Sequence, residues 1–190
     1  MSSRCGGRDQ DVAVDITLDA LVKQYISVLK PKLDKEIEWF ASAQGIEEAI
    51  DRGSRCEYQD GRLHSHQYRV GKEALATFRE TMLSRRAEIA ACTTFEELRL
   101  IVEDEAHRHA RIGELAVYDI ASRIGAALGL MPDRVYLHAG TRKGASNLGL
   151  CGAGGSISID ELPKEMRVLS ADDAENFLCI YKDELARLAA

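Results

Sequence analysis

Apolar residues recur at intervals of three and four along most of this chain, and that spacing limits how it folds more than any other feature. Such a period places apolar side chains on one face of an α-helix, whereas a strand alternates at every second residue. The apolar stripes begin near Leu18, Leu33, Leu75, Leu98, Leu115 and Phe177. No segment predicts a strand as clearly. The sequence therefore predicts an all-α fold, a compact single domain of about eight helices.

The composition agrees with helices packed around an aliphatic core. Only 6% of the residues are aromatic, and three of the 190 are prolines, which helix interiors exclude because proline lacks an N–H group. Residues 1–14 are rich in Ser, Gly, Arg and Asp, and we expect them to form a flexible N-terminal tail. Residues 15–190 are predicted to form the single helical domain, a length that suits one domain.

Charge and cysteine content argue against several classes of protein. A net charge of −6 disfavours an extended coat on nucleic acid, which needs a basic surface to displace counterions. The five cysteines are scattered without a Cys-x-x-Cys pair, so neither a zinc ribbon nor a disulfide framework is expected. Apolar runs fall short of the ~20 residues of a membrane span, and the first residues lack a secretory signal. We expect a cytoplasmic protein with no membrane partner.

Local signals mark where helices start and stop. Residues 94–97, Thr-Phe-Glu-Glu, form a capping box, and residues 170–173, Ser-Ala-Asp-Asp, predict a second capped helix start. Pro31 is expected to end or kink the first helix. Segment 53–70 has no apolar period and is predicted to be a loop.

The segment from Phe95 to Leu128 reads as two helices joined by a turn that contains Gly113. Glycine adopts φ values that are closed to other residues. Backbone N–H groups at the start of the second helix then point outward, where they bind an anion such as phosphate. A helix pair of this kind contacts a nucleic-acid backbone without reading its bases.

This segment resembles the central part of the helix-hairpin-helix DNA glycosylases, whose hairpin has a Leu-Pro-Gly-Val-Gly-like core followed by a helix. Those enzymes continue with a Val-Asp-Thr-His-x-x-Arg-x-x-x-x-Leu-Gly-like segment. This chain has Val135-Tyr-Leu-His138, then Arg142, then Leu148-Gly149. The resemblance covers less than a third of the chain. It implies a helix-hairpin-helix-like unit within the all-α domain, and contact with nucleic acid.

The chain departs from the family pattern at the functional positions. One glycine, Gly113, stands where the hairpin pattern has two, and Glu114 follows it. The catalytic aspartate of the family falls on Tyr136, and its optional lysine nucleophile falls near Leu115. The resemblance therefore implies the fold and a phosphate contact, with the glycosylase chemistry lost or moved to other residues.

The run from His138 to Ala145, His-Ala-Gly-Thr-Arg-Lys-Gly-Ala, combines two glycines, a hydroxyl group and two cations. At the start of a helix, such a run offers backbone amides, a hydroxyl and a guanidinium to one anion. The predicted phosphate-binding residues are Gly113, Thr141, Arg142 and Lys143. A structured connecting loop is the alternative interpretation of this run.

Two polar residues are candidate catalytic groups, Asp119 and His138. Asp119 interrupts an otherwise apolar helix, and Arg123 follows one turn later, where the two side chains can pair. The alternative is a solvated pair on the protein surface. His138 is the predicted acid–base partner of Asp119. Polar loops supply many binding groups, and four loop residues are predicted to cover the site and contact the substrate: His64, His66, Gln67 and Arg69.

The sequence predicts neither a cofactor nor a metal, because its histidines lack an acidic partner at ligand spacing such as His-Glu-x-x-His.

The first functional hypothesis is a helix-hairpin-helix-type protein that binds nucleic acid or a nucleotide through phosphate contacts, either without chemistry or as a diverged glycosylase-like enzyme. The second is a small enzyme that acts on a phosphorylated or nucleotide-like metabolite in a closed pocket, which the acidic net charge favours. The third is a non-catalytic helical adaptor. Enzymatic activity and oligomeric state stay open.

Overall fold

The computed structural model describes residues 17–188, and its elements are almost all helices. The α-helices are α1 Leu18–Gln24, α2 Lys30–Ala41, α3 Ile46–Arg55, α4 Lys72–Ser84, α5 Arg86–Ala90, α6 Phe95–Ala106, α7 Glu114–Leu128, α8 Ala139–Asn147, α9 Ala171–Ile180 and α10 Lys182–Leu188. Within residues 17–188, the strands β1 Val135–Tyr136 and β2 Ser156–Ile157 form the one sheet, an antiparallel pair. The predicted all-α class is confirmed, and the predicted tail 1–14 lies outside the described residues.

Both predicted helix caps are present. The N–H group of Glu97 donates to Oγ1 of Thr94 at 3.2 Å, and the carboxylate of Glu97 accepts from the N–H group of Thr94 at 3.3 Å. At the start of α9, the N–H group of Asp173 donates to Oγ of Ser170 at 3.1 Å. These bonds satisfy donors that a helix start leaves without intrahelical partners, so the two helices begin where the sequence predicts.

Pro31 does not end the first helical segment. It lies in the first turn of α2, where a missing N–H group removes no intrahelical hydrogen bond. A π-helical turn over Tyr25–Leu29 directly precedes it and connects α1 to α2. The chain therefore remains helical from Leu18 to Ala41, with a local change of winding.

The buried side chains form two clusters, each built from different helices. The first includes Ile50, Phe78, Val102 and Ile124, from α3, α4, α6 and α7. The second includes Tyr25, Val135, Phe177 and Leu185, from the α1–α2 connection, β1, α9 and α10. Helix α7 packs on α2, α3 and α6, while α8 packs on α9 and α10. Helix α7 thus belongs to the first cluster and α9 to the second.

The connection between α6 and α7 differs from the predicted glycine turn. The two helices do pack on each other, but residues 107–113 join them through a series of hydrogen-bonded turns. Gly113 has φ −97° and ψ 177°, an extended conformation open to every residue. The prediction that Gly113 uses a φ value reserved for glycine is therefore wrong, and the helix-hairpin-helix unit stays a prediction.

The two glycines of the 138–145 run have a packing role. A Cβ atom on Gly144 would lie 2.1 Å from the backbone oxygen of Leu178, and one on Gly140 would lie 2.6 Å from Sγ of Cys179. No methyl group fits at such distances, so α8 and α9 cross with almost no side chain between them. This close crossing brings Thr141, which lies between the two glycines, against α9.

We expect Gly144→Ala to destabilise the fold by about 3 kcal/mol, the upper part of the range for overpacking, because backbone is harder to displace than a side chain. The better helix propensity of alanine offsets only about 1 kcal/mol of this. The matched control is Gly113→Ala, since no atom lies within 4 Å of a Cβ there; Gly113 is the N-cap of α7, where alanine should cost no more than about 1 kcal/mol. Thermal denaturation measures both, and equal effects would contradict the close crossing.

Candidate functional site

A cavity of about 230 Å³ lies between helices α2, α7 and α9 and the loop that follows α3. We refer to it as the acidic cavity, because four carboxyl groups line it: Glu36, Asp119, Asp172 and Glu175. Three further groups that carry or accept a positive charge also line it: His64, Arg123 and His138. Its walls come from both apolar clusters, so the folding of the whole domain assembles this site.

His138 and Glu175 are buried residues of the lining, and the buried Thr141 supports them from behind. Nε2 of His138 contacts Oε1 of Glu175, and the hydroxyl group of Thr141 donates to the same oxygen. Burial by itself lowers the pKa of His138, but the hydrogen bond and the charge of Glu175 outweigh it, so the pKa is raised. A histidine in this setting keeps its proton to higher pH than a free imidazole.

Asp172 is a carboxyl group with an altered proton affinity. Its Oδ1 accepts a hydrogen bond from the hydroxyl group of Tyr118 at 2.9 Å, which joins α9 to α7. Burial, followed by the nearby charge of Glu175, raises the pKa of Asp172 to about 6. At slightly acidic pH this carboxyl group therefore holds a proton in a large share of the molecules, as a general acid must.

Asp119 is held by two neighbours inside the protein. Its Oδ2 accepts from Nε2 of Gln67 at 2.8 Å and lies 3.8 Å from Nη2 of Arg123. The Asp119–Arg123 pair expected from helical spacing is formed, but Arg123 is only 7% exposed and its guanidinium lies over the ring of Phe40. The pair therefore lies in the interior and is not the solvated surface pair that was the alternative.

Arg123 also has an unused hydrogen-bond donor. Its Nη1 is buried and makes no hydrogen bond with any residue of the described range. A buried donor without a partner costs about 1–3 kcal/mol, and such groups are rare in folded proteins. Because Arg123 lines the acidic cavity, a ligand there that offers an acceptor atom would satisfy this donor.

On the α2 side of the acidic cavity, Glu36 and Tyr58 support His64. The carboxylate of Glu36 lies 3.4 Å from Nε2 of His64, and the ring of Tyr58 stacks on the imidazole with centroids 3.8 Å apart. Burial raises the pKa of Glu36, an effect that Arg123 opposes and Asp119 reinforces. The loop after α3 thus forms one wall of the cavity.

The structure brings together several residues that the sequence singled out. Asp119, His138 and His64 all line the acidic cavity. Gln67 reaches it through its bond to Asp119, and Thr141 through its bond to Glu175. These contacts gather residues from three separate parts of the chain around one space.

The predicted phosphate-binding cations lie elsewhere and have partners. Arg142 donates to the carbonyl group of Leu137 and to the carboxylate of Glu114. Lys143 pairs with Asp183 at 2.8 Å. A phosphate at either cation must compete with a carboxylate that is already in place. None of these residues lines the acidic cavity.

Two other predicted binding residues, Gly113 and Arg69, are not among the residues that line the acidic cavity. Gly113 is exposed at the start of α7, next to Glu114. Arg69 is exposed and forms no ion pair within residues 17–188. The side chain of His66 lies outside the described part of the structure. Their proposed contacts with a ligand stay predictions.

Sequence reasoning missed Glu175, Asp172 and Glu36. The first two lie in the early turns of α9, where acidic residues are expected because they complement the helix dipole. Glu36 lies among the alternating charges of α2. Their local pattern is typical of exposed helix surface, and only the contacts between helices distinguish them.

The two residues at the catalytic positions of the glycosylase pattern, Tyr136 and Leu115, differ in their surroundings. Tyr136, at the place of the family aspartate, donates its hydroxyl group to Glu96 at 2.6 Å and does not line the acidic cavity. Leu115, near the place of the optional lysine, does line that cavity.

No family model, curated protein or solved structure matches the chain.

Residues 17–188 contain neither a membrane-spanning helix nor a cluster of metal-binding side chains. No helix in this range is long and apolar enough to cross a membrane. The same range contains no group of three or more His, Cys, Asp or Glu side chains arranged to hold a metal ion.

We expect Glu175→Gln to lower the pKa of His138. The substitution removes the charge and the charged acceptor that raise this pKa, and it leaves the burial that lowers it. An NMR titration of the imidazole signals measures the change, with the His138 signal assigned by its loss in His138→Gln. Glu73→Gln, on the exposed surface of α4, is the control. An unchanged His138 titration in Glu175→Gln would show that the ion pair does not form.

We expect Asp172→Asn to stabilise the protein above pH ~6 and to have little effect at pH ~4. The pKa of Asp172 is about 6 in the folded state and ordinarily 3.8, so the folded state binds the proton more tightly. Stability contributed by this group therefore falls as pH rises between those values, by about 1–3 kcal/mol. Asparagine avoids the loss and keeps an acceptor for Tyr118. Melting temperatures at both pH values test this, with exposed Asp160→Asn as control.

Proposed function

We propose that the protein is a hydrolase that cleaves a glycosidic bond by general acid–base catalysis in the acidic cavity. One observation carries the proposal: two carboxyl groups of unlike surroundings line one cavity. Asp172 has a pKa raised to about 6 by burial, and Asp119 is held as an acceptor by the amide of Gln67. Paired carboxyl groups whose surroundings differ in this way divide the roles of acid and base in glycosidic hydrolysis.

The reaction needs no reagent besides water. Protonated Asp172 gives its proton to the leaving group as the bond from the sugar carbon breaks. Ionised Asp119 takes a proton from a water molecule as the water oxygen bonds to that carbon. The products are the protonated leaving group and the sugar with a new hydroxyl group, and proton exchange with solvent restores both carboxyl groups.

The charge of the acidic cavity suits the transition state of this reaction. The sugar acquires positive, oxocarbenium-like character as the bond breaks. Ionised carboxylates fixed around such a centre stabilise it without having to reorganise. Asp119 and Glu175 supply this charge, while the unpaired Nη1 of Arg123 provides a donor for a substrate oxygen or nitrogen.

His138 and Thr141 are positioning residues in this proposal. Both hold Oε1 of Glu175, and the charge of Glu175 contributes to the raised pKa of Asp172. The sequence suggested His138 as the direct acid–base partner of Asp119. Because Nε2 of His138 is engaged by Glu175, we assign the acid role to Asp172.

The proposal develops the hypothesis of a small enzyme with a closed pocket. A volume of about 230 Å³ is below the roughly 300–1,000 Å³ of sites for drug-sized ligands, and suits one ring of a larger substrate. A nucleoside-like compound, which joins a base to a sugar by a glycosidic bond, is the first candidate. Binding of nucleic acid through Gly113, Arg142 and Lys143 stays a separate prediction.

A hydrolysis assay near pH 6 tests the proposal, with nucleosides, nucleoside 5′-phosphates and simple glycosides as substrates and release of free base or reducing sugar as the signal. Asp119→Asn and Asp172→Asn should each lower kcat by about 100-fold or more, since a positioned acid or base contributes about 10²–10⁴-fold. The rate of the native protein should fall as pH rises above the pKa of Asp172, about 6. Asp160→Asn should keep full activity.

Two results would overturn the proposal. One is hydrolysis that survives unchanged in both carboxyl variants, which would place the chemistry elsewhere. The other is a folded native protein that cleaves none of these substrates. The latter result, together with a partner protein still captured by Asp119→Asn, would favour the non-catalytic adaptor.

A further inference from the structure

A second, open space of about 530 Å³ lies directly beside the acidic cavity. We call it the lysine groove; one face of α2 and the loop after α3 form it, and it contains Lys32, Lys35, Trp39 and Arg62. Glu36 and Tyr58 border both the lysine groove and the acidic cavity. A ligand that crosses this shared rim would occupy both spaces.

The lysine groove presents positive charge on a protein whose net charge is −6. Lys32 and Lys35 are exposed on α2, and neither forms an ion pair within the described part of the chain. By contrast, Lys23 and Lys72 each lie 2.7 Å from a carboxylate oxygen. The two groove lysines thus offer charge to a ligand without first having to leave a partner.

Arg62 adds a third cation at the edge of the lysine groove. Its guanidinium lies 5.8 Å from the centroid of the Tyr58 ring and 2.7 Å from Asp60. The opposite side of the rim faces His64, on which Tyr58 stacks. The lysine groove thus holds three cations and two carboxylates, Asp60 and the shared Glu36, whereas the acidic cavity is lined by four carboxyl groups.

We infer that the lysine groove binds the phosphate group of the substrate whose glycosidic bond lies in the acidic cavity. The substrate class is thus a nucleoside phosphate, either free or as a residue of a nucleic-acid strand. This inference rests on the proposed function and narrows its substrate. The carboxylates of the acidic cavity repel a phosphate, and Lys32 and Lys35 attract it. These opposite electrostatic potentials favour the orientation in which the phosphate lies in the lysine groove.

Volume supports the same assignment. The acidic cavity, at about 230 Å³, accommodates one ring and not a whole nucleotide, while the adjoining groove, at about 530 Å³, has room for the remainder. Arg142 and Lys143 are weaker candidates for the phosphate, because Glu114 and Asp183 already neutralise them. The groove combines two lysines without an ion pair in the described residues, Lys32 and Lys35, with direct access to the proposed catalytic groups.

Trp39 makes the test specific, because it is the single tryptophan of the chain and lines the lysine groove. Its indole N–H signal in a nitrogen–proton NMR correlation spectrum is followed during titration with AMP, GMP, CMP and UMP. At least one of these should shift the signal and bind more weakly as salt is raised. The double variant Lys32→Gln/Lys35→Gln should weaken that binding about tenfold, the sum expected for two exposed charges. Lys23→Gln, whose lysine pairs with Asp19 on α1, should bind as the native protein does.

Further measurements distinguish a nucleic-acid strand from a free nucleotide as the ligand. They also distinguish this inference from the proposed hydrolysis. Tighter binding of a short oligothymidylate than of any mononucleotide assigns the groove to a strand, and the reverse order assigns it to a free nucleotide. Binding of the mononucleotides is measured directly on the native protein, so a failed hydrolysis assay leaves this result standing. The inference is overturned if no mononucleotide binds, if adenosine binds as tightly as AMP, or if the double lysine variant binds unchanged.

Discussion

The close crossing of α8 and α9 is the contact on which the candidate site depends. Because Gly140 and Gly144 carry no Cβ atom, the backbone of α8 approaches α9 and Thr141 reaches Glu175. Glu175 in turn holds His138 and contributes to the raised pKa of Asp172. A wider spacing of the two helices would leave Glu175 buried with fewer partners, which is costly for a carboxylate.

The acidic cavity gathers charge that a protein interior usually excludes. Its carboxyl groups are tolerable because each has a partner or a proton. Glu175 has His138, Asp119 has Gln67 and Arg123, and Glu36 has His64. Asp172 is protonated over part of the ordinary pH range. The raised pKa of Asp172 lowers the stability of the fold at neutral pH. Loss of stability at a group of this kind is common where a protein uses it for function.

The sequence predicted what local patterns determine and failed where distant helices decide. Helix starts at Thr94 and Ser170 were predictable because a cap bonds only to its own turn. Asp119 stood out because it interrupts an apolar helix, and His138 because it opens a run rich in glycine and cations. Asp172 and Glu175 did not, because acidic residues are ordinary at a helix start. Glycine was ambiguous for the same reason: Gly113 begins a helix in an extended conformation, while Gly144 makes room for another helix.

The π turn before Pro31 has a consequence for how α2 faces the rest of the protein. A π turn holds one residue more than an α-helical turn, and each residue of a helix corresponds to a rotation of about 100°. Loss of one residue from Tyr25–Leu29 would therefore rotate α2 by about a quarter turn relative to α1. Glu36 would then turn away from the acidic cavity, and Lys32 from the lysine groove. The single inserted residue therefore determines which side chains of α2 line both spaces.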